Sequence, residues 1–245
     1  MKAIFRREFK SYFNSPIGYV FLAAFFFYAS LMFVFINLGS MTTLMKYFFQ
    51  NISMVFVFVI PILTMRTFAE ERKSKTDQLL LTAPVKVTSI VLGKFFAATA
   101  VLGIAVLSTM FYVLVLNSYG SPVFSEIFVG YLGLFLMGVF FVSIGLFISS
   151  LTQSQVISAV ATLAIIFFLW FSSNLAFNFT QMMSGTMMSW LGVALDWLID
   201  FLAINNRFAD FTLGILNFVP VFYFVSLTAL FLLLTVSVIE KRRWK

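Results

Sequence analysis

The sequence predicts an all-α, polytopic membrane protein with six transmembrane helices, and three observations carry that prediction. The chain is 62% hydrophobic, against about 45–50% for a soluble domain, and its mean hydropathy is +1.04. A chain of 245 residues has no interior that could hide such a surplus, so the surplus faces lipid. Charge is missing from Ser11 to Met45, Tyr47 to Met65, Phe95 to Ser125, Ile127 to Leu195 and Phe211 to Ile239. A hydrocarbon core of about 30 Å is crossed by about 20 apolar residues of helix. Finally, six spans put all of the 16 Lys and Arg except Lys46 and Arg207 on one side. By the positive-inside rule that side, with both termini, is cytoplasmic.

The chain reads as a single domain over 1–245, and its elements follow in order. Residues 1–15 form an amphipathic helix: Phe5, Phe9, Tyr12 and Phe13 recur on one face, with Arg6, Arg7 and Lys10 mostly elsewhere. That pattern lies in the headgroup plane. Pro16 separates it from the first span, 17–38, which is too long and too far along the chain to be a cleaved signal. The second span is 48–66. Next comes a loop, 67–94, beginning TFAEERKSKTDQLLLTAP. Nine charged residues fall between Arg66 and Lys94. Ser74-x-x-Asp77 fits a capping box that would open a short helix, closed by Pro84. At about nine residues, or about 14 Å, this helix cannot span the bilayer. It carries Leu79, Leu80 and Leu81, which need an apolar surface: the membrane, neighbouring helices or another protein. Spans three and four are 95–116 and 123–148, the fourth marked by Gly130, Gly133, Gly138 and Gly145, small residues that allow close packing. The polar TQSQ at 152–155 divides the long uncharged run, leaving a fifth span at 156–176. Residues 177–216 are too apolar for water and too interrupted to span, so they are expected to dip into the outer leaflet as short helices. The last span is 217–239, stopped by KRRWK.

Several chemistries are excluded. With no Cys and no His, disulfides and Cys/His metal sites are out, and so is the commonest general base. Met182, Met183, Met187 and Met188 could offer thioethers to Cu(I), but no His or Cys joins them, and flexible apolar filler is the favoured reading. Asp196 and Asp200, four apart, read as a solvated face. The net charge of +7 gathers between apolar runs rather than on a basic face, which speaks against nucleic acid. A phosphate-binding loop needs G-x-x-x-x-G-K-[ST]. The one Gly-Lys, Gly93-Lys94, has Thr88 in the first Gly position and Phe95 after it, so the chain does not hydrolyse ATP itself.

The 66–94 stretch resembles the cytoplasmic coupling helix of ABC-2 type exporter permeases. The pattern is an acidic pair (Glu70, Glu71), basic residues (Arg72, Lys73), Thr76, a Leu pair (Leu79, Leu80), Pro84-Val85 and a later Gly93-Lys94. Lys75 stands where Gly is usual and Gln78 where an acid is usual. REFKSYFNSPIGYVF and INNRFADFTLGILN resemble, more narrowly, the gliding-motility-associated branch, with Leu213 where a basic residue commonly precedes the Gly at 214. The resemblance implies a permease subunit in a bacterial inner membrane, dimeric with a second copy or a paralogous permease. It would dock a cytoplasmic ABC ATPase through Glu70, Glu71, Arg72, Lys73, Thr76, Leu79, Leu80 and Pro84. The interfacial helix residues, read from the amphipathic pattern, are Phe5, Arg6, Arg7 and Phe9, which serve as a membrane anchor or a partner contact. The resemblance implies no cofactor in this chain; ATP and Mg would sit on the ATPase. A membrane scaffold without transport is the alternative. A channel or ion-coupled carrier would need ionisable groups within the spans, and none is expected deep inside one. An enzyme would need an acid, a base and a nucleophile, which no stretch supplies together.

Overall fold

The computed structural model describes residues 1–76, 85–183, 197, 199 and 201–243, the side chains of 173–183 excepted. Among these residues there is no strand, and six helices are long and apolar enough to cross a membrane. Helix α1 runs Lys2–Asn14 and α2 Pro16–Met32, which continues in wider, π-type turns over Phe33–Leu38. Next come α3 (Lys46–Thr64), α4 (Ala69–Lys73), α5 (Val87–Ser108), α6 (Met110–Tyr119), α7 (Phe124–Leu151), α8 (Gln155–Met183), α9 (Ile204–Thr212) and α10 (Phe218–Arg243).

The first corner illustrates the local causes. Ser15 is extended (φ −109°, ψ 156°) and Pro16 opens α2, where its missing N–H costs nothing because a first-turn N–H has no partner. A Cβ on Gly18 would lie 2.4 Å from the Tyr12 carbonyl oxygen, so only Gly lets α2 start this close to α1. At the far end of α2, the buried Asn37 side chain donates to the carbonyls of Thr42 and Leu44, both at 3.2 Å, and closes the turn into α3.

Helices α3 and α7 are the axis. The apolar windows of both are 72% buried, against 22% for the first and fifth spans. Helix α7 packs against α10, α3, α5, α9 and α8. Its glycines permit this. A Cβ on Gly133 would lie 2.4 Å from Phe211 of α9, and one on Gly145 2.1 Å from Thr64 Oγ1 of α3.

Two local expectations are corrected. Ser74 does not open a helix. It closes α4, its hydroxyl donating to the Glu70 carbonyl at 2.9 Å. Thr76 N–H then donates to the Glu71 carbonyl at 2.9 Å and Lys75 N–H to that of Arg72 at 3.3 Å, the paired bonds of a Schellman stop. This stop puts Lys75 in the left-handed region, φ +57°, where Gly is the usual residue. An L side chain there costs roughly 1–2 kcal/mol, and Gly returns about 0.5–1 kcal/mol of that through unfolded-chain entropy. Lys75→Gly is therefore expected to stabilise by about 0.5–1 kcal/mol, read as a higher melting temperature in detergent. A lower one would show that the Lys75 side chain is held. The second correction is that α5 begins at Val87, so Lys94 lies inside a helix and not in a loop.

Candidate functional site

Gly93 and Lys94 build a charged junction at one end of the bundle. A Cβ on Gly93 would meet Ile4 Cγ2 at 2.8 Å and the Phe5 backbone nitrogen at 3.4 Å. The bare backbone therefore lets α1 lie directly on α5. The next side chain, Lys94, reaches beneath α1 and is 1% exposed. Its ammonium donates to the Thr67 carbonyl at 2.8 Å and pairs with Glu71 Oε1 at 3.0 Å and Glu8 Oε2 at 3.2 Å. These three acceptors match the three donors of an ammonium. It also stands 5.2 Å from the Phe68 ring centre.

Arg7 clamps the pair from outside. Its Nη2 lies 2.6 Å from Glu8 Oε1 and 3.0 Å from Glu71 Oε1. Two cations and two carboxylates thus balance among α1, α4 and α5. Burial works to lower the Arg7 pKa, but the hydrogen bonds and charges of Glu8 and Glu71 outweigh it and raise it. Beside them Tyr12 Oη meets Thr67 Oγ1 at 3.5 Å, and burial pushes the phenol up to about 12. A cavity of about 320 Å³, lined by the same residues with Ser11, Arg66 and Glu70, opens next to the junction.

The last turn of α7 holds the junction from below. Ser149 Oγ accepts from the Phe68 and Ala69 N–H groups at 3.0 and 3.1 Å, satisfying first-turn donors of α4 that would otherwise be buried unpaired. Arg72 donates to the Leu151 carbonyl at 2.6 Å, and Arg242 of α10 to that of Ser150. Arg243 reaches the Val85 carbonyl at 3.3 Å. The first helix, residues 66–76, the start of α5 and the end of α10 therefore share one end of the bundle. Lys46 lies by Thr43, Ser121 and Glu126 at the other.

The anticipated site residues divide. Glu71 and Arg72 point into the chain's own contacts, as described. Glu70 pairs with Arg66, one of the two bonds at 2.7 Å. Lys73 and Thr76 are exposed. Leu79, Leu80 and Pro84 lie outside the described residues. On α1, Phe5 and Phe9 are half-buried with rings stacked at 5.8 Å, and Arg6 and Arg7 are both exposed, Arg7 reaching over to Glu8 and Glu71. Lys94, Glu8 and Thr67 were not anticipated in the junction. Met187, Met188, Asp196 and Asp200 lie outside the described residues, as do the side chains of Met182 and Met183.

A polytopic helical bundle with six apolar helices and a charged junction at one end defines an integral membrane protein. The sequence profile described as ABC-2 family transporter protein matches residues 2–244. The chain belongs to this family, whose membrane chains are components of transporters and not themselves catalytic. No curated protein matches it.

Proposed function

We propose that the chain is the permease subunit of an ATP-driven exporter, receiving motion from a separate cytoplasmic ABC ATPase. Supporting this, beside the family, is the Lys94 junction. The segment nearest the proposed docking leucines is tied by a buried ion cluster to both the interfacial helix and a spanning helix. A push on α4 therefore displaces α1 and α5 together. The basic end of the bundle faces the cytoplasm in this reading. Placement in the gliding-motility-associated branch rests on the two sequence stretches alone; Gly214, at φ +73° and with Glu126 within 2.6–2.9 Å of an added Cβ, needs Gly whatever precedes it.

Two measurements test the reading. Single-Cys variants at positions 2 and 75, in a chain with no native Cys, are expected to label from the same, cytoplasmic side; opposite sides would refute the topology. The tagged chain, purified gently from its native membrane, is expected to carry an ATPase with a complete phosphate-binding loop. A pure permease band at full yield would favour a scaffold.

A further inference from the structure

An apolar groove on the face of α5 and α7 points to a bound lipid. It encloses about 840 Å³ and continues through shared residues Leu107, Met110, Phe128 and Tyr131 into a second apolar cavity of about 590 Å³. Small residues make it: Ala100 and Gly103 form the floor, and a Cβ on Gly103 would find only the Phe135 ring, at 3.6 Å. From Phe96 to Leu107 the α5 wall is about 16 Å long at 1.5 Å per residue. That is close to half of a hydrocarbon core of about 30 Å, the depth of one leaflet.

The end of the groove is not apolar. Lys2 and Phe5 of α1 form its mouth. Lys2, Arg6 and Lys10 follow one another at four-residue spacing along one face of α1, all three exposed, and among the described residues none of their side chains makes an ion pair or hydrogen bond. One level deeper, Thr99 stands on the wall of the same groove, its hydroxyl oxygen buried beneath the surface.

We infer that this groove holds an anionic glycerophospholipid, its phosphate on the Lys2 ridge and one acyl chain between Phe96 and Leu107. The occupant is anionic because, among the described residues, the charges at the mouth are positive. It is a lipid because the walls are apolar over one leaflet's depth. The inference does not depend on the ATPase.

The experiment uses the full chain in mild detergent, titrated with phosphatidylglycerol or phosphatidylcholine and followed by native mass spectrometry and thermal melting. Wild type is expected to retain phosphatidylglycerol at least about tenfold better, roughly the effect of one headgroup ion pair worth 1.4 kcal/mol. Lys2→Gln should erase the preference between headgroups. Ala100→Leu with Gly103→Leu, which fills the floor with good helix formers, should abolish retention of both lipids while leaving the lipid-free melting temperature unchanged or higher. Equal retention of the two lipids by wild type would overturn the assignment of an anionic headgroup. Undiminished retention by the filled variant would overturn the groove as the site. If the filled variant fails to fold, Ala100→Leu alone serves in its place. Its expected result is weaker retention of both lipids, and wild-type retention counts against the site.

Discussion

Lys94→Met is expected to destabilise the chain by about 3–5 kcal/mol, the cost of removing one partner from a buried ion pair. The size follows from what is left behind. Glu8 and Glu71 have side chains only 15% and 19% exposed, and without the ammonium they face each other with Arg7 as the one remaining ion-pair partner among the described residues. The Thr67 carbonyl also loses its Lys94 donor. Arg7, at 52% exposure, is a different case: Arg7→Ala should cost about 1 kcal/mol or less, as for partly solvated pairs. Lys94→Arg should not rescue, because a planar fork cannot take the place of a compact ammonium among three acceptors. The double variant Lys94→Met with Glu71→Gln should lose clearly less than the sum of its parts, since it removes one charge of each sign. The measurement is thermal unfolding in detergent alongside the amount of protein in the membrane. Wild-type melting for Lys94→Met would mean that the junction contributes nothing to stability.

If the proposed docking on an ATPase holds, Leu79→Asp with Leu80→Asp is expected to release that ATPase while the chain still inserts and folds. Each Leu buried in a groove is worth roughly 1.5–3 kcal/mol, so the pair accounts for roughly 3–6 kcal/mol, and desolvating the new carboxylates adds to the loss. An interface of micromolar to nanomolar affinity holds about 8–12 kcal/mol in total. Co-purification of the ATPase, at wild-type membrane levels of the permease, is the readout. Full recovery of a coupled complex would remove the docking role and leave membrane packing as the account of the leucines.

Much of the architecture was written in one dimension. Uncharged runs, the partition of Lys and Arg, and Pro16 suffice for six spans and a preceding amphipathic helix, because lipid imposes length and backbone satisfaction so strictly. The glycines of the fourth span were legible as small residues; that Gly133 receives Phe211 and Gly145 receives Thr64 was not, since partners are chosen by the fold. The helix before Ser74 was obscured by a single substitution. Gly at 75 would have announced a C-terminal stop, but Lys75 adopts the same left-handed backbone and leaves the capping-box pattern as the stronger signal. The junction was hidden for another reason. Glu8, Glu71 and Lys94 lie far apart in sequence, and each looks like an ordinary charge flanking an apolar run. The available clue was Lys94 itself: a cation at the start of a long uncharged stretch, placed directly after the Gly that admits a neighbouring helix.

The distance along the chain between the two halves of that junction has a consequence for biogenesis. Ribosomes add about 5–20 residues per second, so the roughly 85 residues separating Glu8 from Lys94 take about 4–17 s to appear. During that interval the first two hydrophobic segments can already enter the bilayer, while α1 has neither its ammonium partner nor the Gly93 surface beneath it. Its row of phenylalanines gives it somewhere to wait, at the lipid surface, until the third segment arrives and Lys94 locks it down. The same helix therefore serves first as a float for the nascent chain and afterwards as a fixed part of the finished protein.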